Sequence, residues 1–200
     1  MRKILIVTMV LMVILFCSGV LQDLETLHQG VIRLHVVGAS NSEQDQNAKL
    51  AVKDAVNYYL HDVMQGVSDQ NAASGILTRE LSNLKTLAEQ VLRQHGIQDP
   101  VQITLEQEAF PRRDYDTFSL PSGVYESLRI RIGEAEGRNW WCVVFPSLCL
   151  PAAGEDLRDT AAGAGFSDTL SNTLTGEAGY EIRFFFLDWL GQIQNFWFQK

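Results

Sequence analysis

The N-terminal segment, residues 1–21, is the part of the chain that most restricts how the rest can fold. Met1, Arg2 and Lys3 form a basic start, and residues 4–16 are apolar except for one threonine. A positive start followed by about 7–15 apolar residues is typical of a secretory signal, whereas a membrane-spanning helix needs about 20. Residues 4–21 approach that length, so cleavage after Gly19 and an uncleaved anchor both remain open. We therefore predict a signal peptide or membrane anchor, with the rest of the chain folding outside the cytosol.

Composition narrows the classes of partner. The 200-residue chain has a net charge of −8 and 46% hydrophobic residues, enough for one core. Binding to nucleic acid, or to anionic lipid through charge alone, requires a basic surface. The acidity therefore argues against a nucleic-acid partner. We also find no glycine loop suited to phosphate and no cysteine and histidine spacing suited to a metal, so we predict no cofactor and no small-molecule substrate.

Periodic patterns along the chain predict an α+β fold. Residues 31–37 are rich in β-formers, and a helix capped by Asn41 or Ser42 is expected from about Glu43 to Met64. Residues 66–75 are polar and loop-like, and a second amphipathic helix follows from residue 76 and stops at Gly96.

Three further strands follow the two helices. Residues 101–106 and 125–132 alternate between apolar and polar side chains, as half-buried strands do. A short glycine-containing turn then leads into the strand with Trp140 and Trp141, which predicts an antiparallel hairpin with residues 125–132. The simplest arrangement is a mostly antiparallel sheet with helices packed on one face.

Changes in composition predict how the chain is divided. The C-terminal segment is expected to begin as a strand at Tyr180 and to become an aromatic helix at Leu187. The predicted parts are a signal or anchor (1–21), a tether (22–30), an α+β domain (31–150), a flexible linker (151–179), and a C-terminal strand and helix that pack on the domain (180–200).

The segment around Trp140 and Trp141 is a candidate for binding. Adjacent side chains on a strand point to opposite faces, so we expect one ring to be buried and the other to be partly exposed. Cys142 and Cys149 flank a turn at Pro146. Outside the cytosol these cysteines can form a disulfide, and two buried free thiols are the alternative. Both tryptophans are candidate partner contacts, because this residue type is enriched at binding hot spots.

A basic and aromatic loop gives the other candidate contacts. Arg112, Arg113 and Tyr115 lie between two prolines on an otherwise acidic chain. Such a loop is often simply solvated, but arginine and tyrosine can also anchor an acidic loop of a partner. The C-terminal aromatics, including Trp189 and Trp197, can cover the domain or rest at a membrane interface.

Catalysis by a cysteine is the main alternative to binding. Cys142 or Cys149 would be the nucleophile and His35 the base of an extracytoplasmic hydrolase. Cys142 lies in an apolar strand, where a thiolate is disfavoured, and a structural histidine is the preferred interpretation of His35. We therefore predict no catalytic residues.

Three separated motifs resemble a known family. The motifs lie at residues 32–46 with 49–56, at residues 110–125 with Phe110-Pro111 and Leu120-Pro121-Ser122-Gly123, and at residues 137–149 with Asn139-Trp140-Trp141-Cys142. Their sequence and order are similar to those of stage II sporulation protein R. They cover most of residues 31–150, while residues 151–200 resemble the family poorly.

The resemblance implies an exported signalling protein rather than an enzyme. Family members are made in the forespore and enter the space between the two septal membranes. There they activate a membrane-embedded aspartic protease of the mother cell, which cuts the precursor of sigma factor E. A signal-anchored structural protein is a third possibility, in which residues 4–21 must stay attached.

Overall fold

The structure has an α+β fold, which confirms the class predicted from the sequence. This computed structural model describes residues 1–115, 117–146, 166–177 and 179–199. Within these ranges the helices are α1 (Arg2–Gly30), α2 (Glu43–Val63), α3 (Gln70–Gln94), α4 (Asp168–Leu174) and α5 (Glu181–Phe198). The strands are β1 (Ile32–Val37), β2 (Val101–Phe110), β3 (Arg113–Asp114), β4 (Ser119–Leu120), β5 (Gly123–Ile132) and β6 (Asn139–Phe145).

The main sheet is mixed and has the strand order β2-β5-β1-β6. Strand β1 pairs in parallel with β5, where Leu34 is opposite Leu128, and antiparallel with β6, where Leu34 is opposite Cys142. The predicted hairpin of residues 125–132 with the tryptophan strand is therefore wrong. Every residue of β1 is buried, so this strand occupies an interior position between β5 and β6.

Helices α2 and α3 cover one face of this sheet. Their apolar stripes, which include Val52 and Leu84, pack in one cluster with Leu34, Leu128 and Cys142. These three strand residues are register partners and therefore point to the same face. The opposite face carries polar side chains, among them His35 and Arg129. One face of the sheet is thus the apolar core, and the other buries polar side chains such as His35 and Arg33.

Local sequence signals set the ends of α2 and α3. Ser42 caps α2 by accepting a hydrogen bond from the Asp45 amide at 3.1 Å, as predicted. Asp69 caps α3 in the same way through the Ala72 amide at 2.9 Å. Helix α3 therefore begins inside the predicted loop of residues 66–75. Its C-terminal end is followed by Gly96 at φ +72°, a left-handed conformation that favours glycine.

Helix α1 continues through the segment predicted to be a tether. Residues 22–29 contain no proline or glycine, and Gln29 hydrogen-bonds Glu25 one turn earlier at 3.0 Å. Leu27 on the same turn is fully buried, so this part of the helix is packed. The helix ends at Gly30. Among the described helices, α1 is long and apolar enough to cross a membrane, a property that signal sequences share.

The C-terminal segment is helical throughout. Helix α5 begins at Glu181, so the predicted strand from Tyr180 to Phe186 is wrong. Phe184, Leu187 and Gly191 are buried at helical spacing, and this pattern outweighs the β-propensity of the three consecutive phenylalanines.

Within the predicted linker, α4 is a short helix capped by Ser167. Residues 151–165 lie outside the described ranges.

The chain divides into two compact units. We call residues 30–108 and 125–165 the sheet unit, and residues 1–29, 109–124 and 166–200 the helical unit. The sheet unit contains β1, α2, α3, β6 and most of β2 and β5. The helical unit contains α1, α4, α5 and the small antiparallel pair β3 and β4, in which Arg113 is opposite Leu120.

Candidate functional site

The two adjacent tryptophans lie on opposite faces of β6 in the sheet unit. Trp140 packs against the helix-covered core, and the Lys53 ammonium lies 5.0 Å from its ring centroid. Trp141 is opposite His35 in the register, and the two rings stack at 5.5 Å with an interplanar angle of 26°. Both tryptophans are half-buried, so the expectation of one buried ring is wrong. Each ring keeps part of its surface exposed, and their roles as partner contacts stay a prediction.

Cys142 belongs to the core rather than to a reactive site. It is buried among the side chains that α2 and α3 cover, and it is disulfide-bonded. Its predicted partner Cys149 lies outside the described residues, so that pairing stays a prediction. Cys142 is opposite Leu34 in the register, whereas His35 projects to the other face. Because the sheet separates them, Cys142 and His35 are not a nucleophile and its base.

His35 is held by a polar network on the face of the sheet opposite the helices. Its Nδ1 lies 2.7 Å from Glu108 Oε1, and its Nε2 lies 3.1 Å from Asn139 Oδ1. Arg129 Nη1 reaches Glu106 at 3.2 Å and Glu108 at 3.7 Å. Both ring nitrogens of His35 are occupied, which fits a structural histidine and opposes a role as general base.

The same network sets the charge of Glu108. Burial alone would raise the pKa of this carboxyl group. The hydrogen bond and charge of His35, together with the Arg129 guanidinium, outweigh that effect and hold the pKa of Glu108 below its usual value. Glu108 is therefore an ionised, paired group at neutral pH.

The predicted Arg112, Arg113 and Tyr115 loop forms β3 and its turn in the helical unit. Arg112 Nε donates to Asp114 Oδ1 at 2.9 Å, and its guanidinium lies 4.7 Å from the Phe184 ring centroid. The Ser119 hydroxyl donates to Asp114 at 2.6 Å. These hydrogen bonds, from Ser119 first and then from Arg112, lower the pKa of Asp114. The loop is therefore an ordered structure.

Tyr115 stacks on Phe118 beside a cavity of about 450 Å³ in the helical unit. The walls of this cavity include Arg112, Tyr115, Phe118, Phe184, Asp188 and residues 173–176. The structure therefore brings Arg112 and Tyr115 to one cavity, and Arg113 is not part of its lining. Such a concave, partly aromatic site suits a side chain or a loop of a partner.

The Leu120-Pro121-Ser122-Gly123 motif anchors α5 beside this cavity. The amide and the hydroxyl of Ser122 both donate to Asp188 Oδ1 at 2.7 Å, and the hydroxyl also accepts from the Arg112 amide at 3.1 Å. Gly191 approaches the Ser122 carbonyl so closely that a Cβ atom there would lie 1.6 Å from its oxygen. Sequence reasoning missed Asp188 and Gly191, because their partners lie far away in the chain.

Comparisons with known proteins identify the family. A family model described as stage II sporulation protein R matches residues 28–155, more than half of the chain. The chain belongs to this family. A stage II sporulation protein R of Bacillus subtilis (strain 168) is 26% identical over 180 residues, which covers 81% of this chain and 80% of the relative. No solved structure matches.

Membership in the stage II sporulation protein R family supports a role in sporulation. The family is named for a sporulation protein and not for an enzyme. Its matched range contains α2, α3 and the six strands that the structure describes, and therefore the loop of Arg112 and both tryptophans of β6. Among the described residues, no group of histidine, cysteine and acidic side chains could hold a metal ion. The N-terminal helix is compatible with a signal or an anchor.

Proposed function

We propose that the chain is an exported sporulation signal that activates a membrane-embedded aspartic protease through direct contact. The protease would be that of the mother cell, and its substrate would be the precursor of sigma factor E. Family membership is the observation that carries this proposal. The apolar helix α1 supports it, because a signal or anchor is what export into the space between the septal membranes requires.

Activation by contact places a thermodynamic condition on the binding surface. The chain can shift the protease toward its active state only by binding that state more tightly than the inactive one. The candidate contacts are Arg112 and Tyr115 at the cavity of the helical unit, Arg113 beside them, and the exposed parts of Trp140 and Trp141. Arginine, tyrosine and tryptophan are the residue types that most often dominate binding energy.

The chemistry of the site favours this proposal over a cysteine hydrolase. Cys142 is buried and disulfide-bonded, so it offers no thiolate. Both nitrogens of His35 are engaged by Glu108 and Asn139. A contact signal needs neither group to be reactive.

Reconstitution in a non-sporulating host tests the proposal. The full chain is co-expressed with the protease and the sigma precursor, and cleavage of the precursor is followed. We expect cleavage only when the chain is present. Absence of cleavage, with the chain exported and folded, would overturn the proposal.

Matched variants would then locate the contact surface. We expect Arg112→Gln and Tyr115→Ala to reduce precursor cleavage. Arg93→Gln and Tyr58→Ala change the same residue types at exposed positions on α3 and α2, and they should leave cleavage unchanged. Equal effects of the two sets would exclude the Arg112 and Tyr115 loop as the contact.

A further inference from the structure

Helix α5 has a second apolar face that its own unit covers only in part. Phe184, Leu187 and Gly191 form the buried face. A separate row of large apolar side chains is exposed at helical spacing: Ile182, Phe185, Trp189, Ile193, Phe196 and Trp197. Trp197 retains 68% of its accessible surface. Exposed apolar rows of this length mark interaction surfaces in proteins.

Polar side chains at the borders of this row fix the rotation of α5. Asp188 accepts from the Ser122 amide, Gln194 Oε1 accepts from the Val124 amide at 3.3 Å, and Asn195 Nδ2 donates to the Phe110 carbonyl at 2.8 Å. Turning the exposed row inward would break all three hydrogen bonds. The apolar row is therefore a stable outer surface of the helical unit.

Contacts with α1 place α5 at the end of a membrane-compatible helix. Phe186 packs edge-to-face on Phe16 with ring centroids 5.6 Å apart. Arg183 Nε donates to Asp23 Oδ2 at 2.6 Å, and Asp23 is the first charged residue after the apolar run. Phe16 lies five residues before the end of this run at Leu21, which corresponds to about 7 Å along the helix axis. An amphipathic helix at a membrane surface buries its apolar face to a depth of about 5–10 Å.

We infer that the exposed face of α5 lies in the lipid interface of the membrane that α1 enters. The Arg183 and Asp23 pair, in which Asp23 is buried, lies where the apolar run of α1 ends. Trp189 and Trp197 are the residue type that concentrates at this level. The occupant of the face is the bilayer, because the helix beside it is itself compatible with a membrane. This inference does not depend on the protease.

The charges of α5 determine the kind of lipid attraction. The helix carries Glu181 and Asp188 but a single basic residue, Arg183. It therefore lacks the lysine- and arginine-rich polar face that draws other interfacial helices to anionic lipid. Binding rests on burial of apolar and aromatic surface, so neutral phosphatidylcholine is sufficient.

Quenching by brominated phosphatidylcholine tests the inference on the full chain in vesicles. The four tryptophans are the reporters, and α1 contributes none of them. We expect bromine on the lipid chains to quench the fluorescence of the wild-type chain. The double variant Trp189→Phe with Trp197→Phe should lose most of this quenching. The matched double variant Trp140→Phe with Trp141→Phe should retain it. Unchanged quenching in the first variant would overturn the inference.

Two neighbouring substitutions separate the apolar face from the fold of the unit. Ile193 lies on the exposed row, and Gln192 lies on the polar border and is also exposed. We expect Ile193→Lys to reduce the quenching of Trp189 and Trp197 and Gln192→Lys, which keeps a donor beside Asp188, to preserve it, with equal helix content by circular dichroism. Equal quenching in the two variants, or quenching only with anionic lipid, would overturn the inference.

Discussion

The pair of His35 and Glu108 shows how one residue on the polar face of the sheet links charge to stability. The pKa of Glu108 is lower in the folded chain than in the unfolded chain, so the unfolded state binds a proton first as the pH falls. The contribution of Glu108 to stability is thus present above its ordinary pKa of about 4.3. It is lost as the pH falls through the lower pKa of the folded state.

This linkage gives a prediction for Glu108→Gln. At pH 7 we expect the free energy of unfolding to fall by about 1–2 kcal/mol, because the charged partner of His35 and Arg129 is gone. The difference from the wild-type chain should shrink below the ordinary glutamate pKa. Urea unfolding at several pH values measures this difference in the free energy of unfolding. Glu89→Gln, which removes an exposed helix pair with Lys85, should change stability by less than about 0.5 kcal/mol. A difference that does not depend on pH would contradict the prediction.

The cysteines give a second prediction at this scale. Cys17 is free and exposed, and Cys142 is disulfide-bonded. If Cys149 is the partner of Cys142, the denatured full chain should expose one thiol before reduction and three afterwards. Titration with a thiol reagent measures this number. More than one thiol in the unreduced chain would exclude the pair.

At the scale of elements, the close approach of α5 to the Ser122 carbonyl predicts the effect of Gly191→Ala. A Cβ atom at this position would lie 1.6 Å from a backbone oxygen that cannot rotate away. We expect a loss of about 1–3 kcal/mol from overpacking. Gly75→Ala is the matched control within α3, where the nearest atom is the end of the Arg79 side chain at 3.8 Å. Alanine there should stabilise the helix by up to about 1 kcal/mol. Thermal unfolding compares the two, and a neutral Gly191→Ala would contradict the packing.

Capping residues made some helix ends predictable from the sequence. The pairing of the strands was determined by tertiary packing. The start of α2 follows from the Ser42 cap, and the end of α3 follows from Gly96, because each signal acts within one turn. The pairing of β1 with both β5 and β6 depends on contacts about a hundred residues apart in the chain. Every residue of β1 is buried, but Arg33 and His35 interrupt its apolar sequence, so the interior position of this strand could not be predicted from an apolar run.

The candidate site was predictable only in its local parts. Arg112 and Tyr115 were found from the composition of one loop, and the tryptophans from their adjacency. Asp188 and residues 173–176, which complete the cavity wall, come from segments without a local functional signal. Only the fold brings them to Arg112.

On the scale of the whole molecule, the family match and the surfaces proposed to meet the membrane occupy different parts of the chain. The match spans residues 28–155, whereas the apolar run of α1 precedes it and α5 follows it. The matched part contains the candidate contacts, so we assign recognition to it. The parts outside it carry the proposed export signal and the proposed lipid contact.

This division predicts that the early sequence of α1 can be exchanged. The apolar side chains of residues 4–15 are exposed, and the contact with α5 begins at Phe16. We expect a chain whose residues 4–15 are replaced by an unrelated apolar run to be exported and to support precursor cleavage like the wild-type chain. Cleavage in the co-expression assay and the amount of exported chain are measured together.

A second variant tests the contact between α1 and α5 without changing the apolar run. Asp23→Lys leaves the apolar run intact but places a positive charge beside Arg183, which should loosen α5 from α1 and reduce the lipid quenching of Trp189. If the exchanged chain is exported and folded but no longer supports cleavage, residues 4–15 themselves carry information. The signal-anchored structural protein requires instead that residues 4–21 stay attached, so a soluble form without them that still supports cleavage would exclude that alternative.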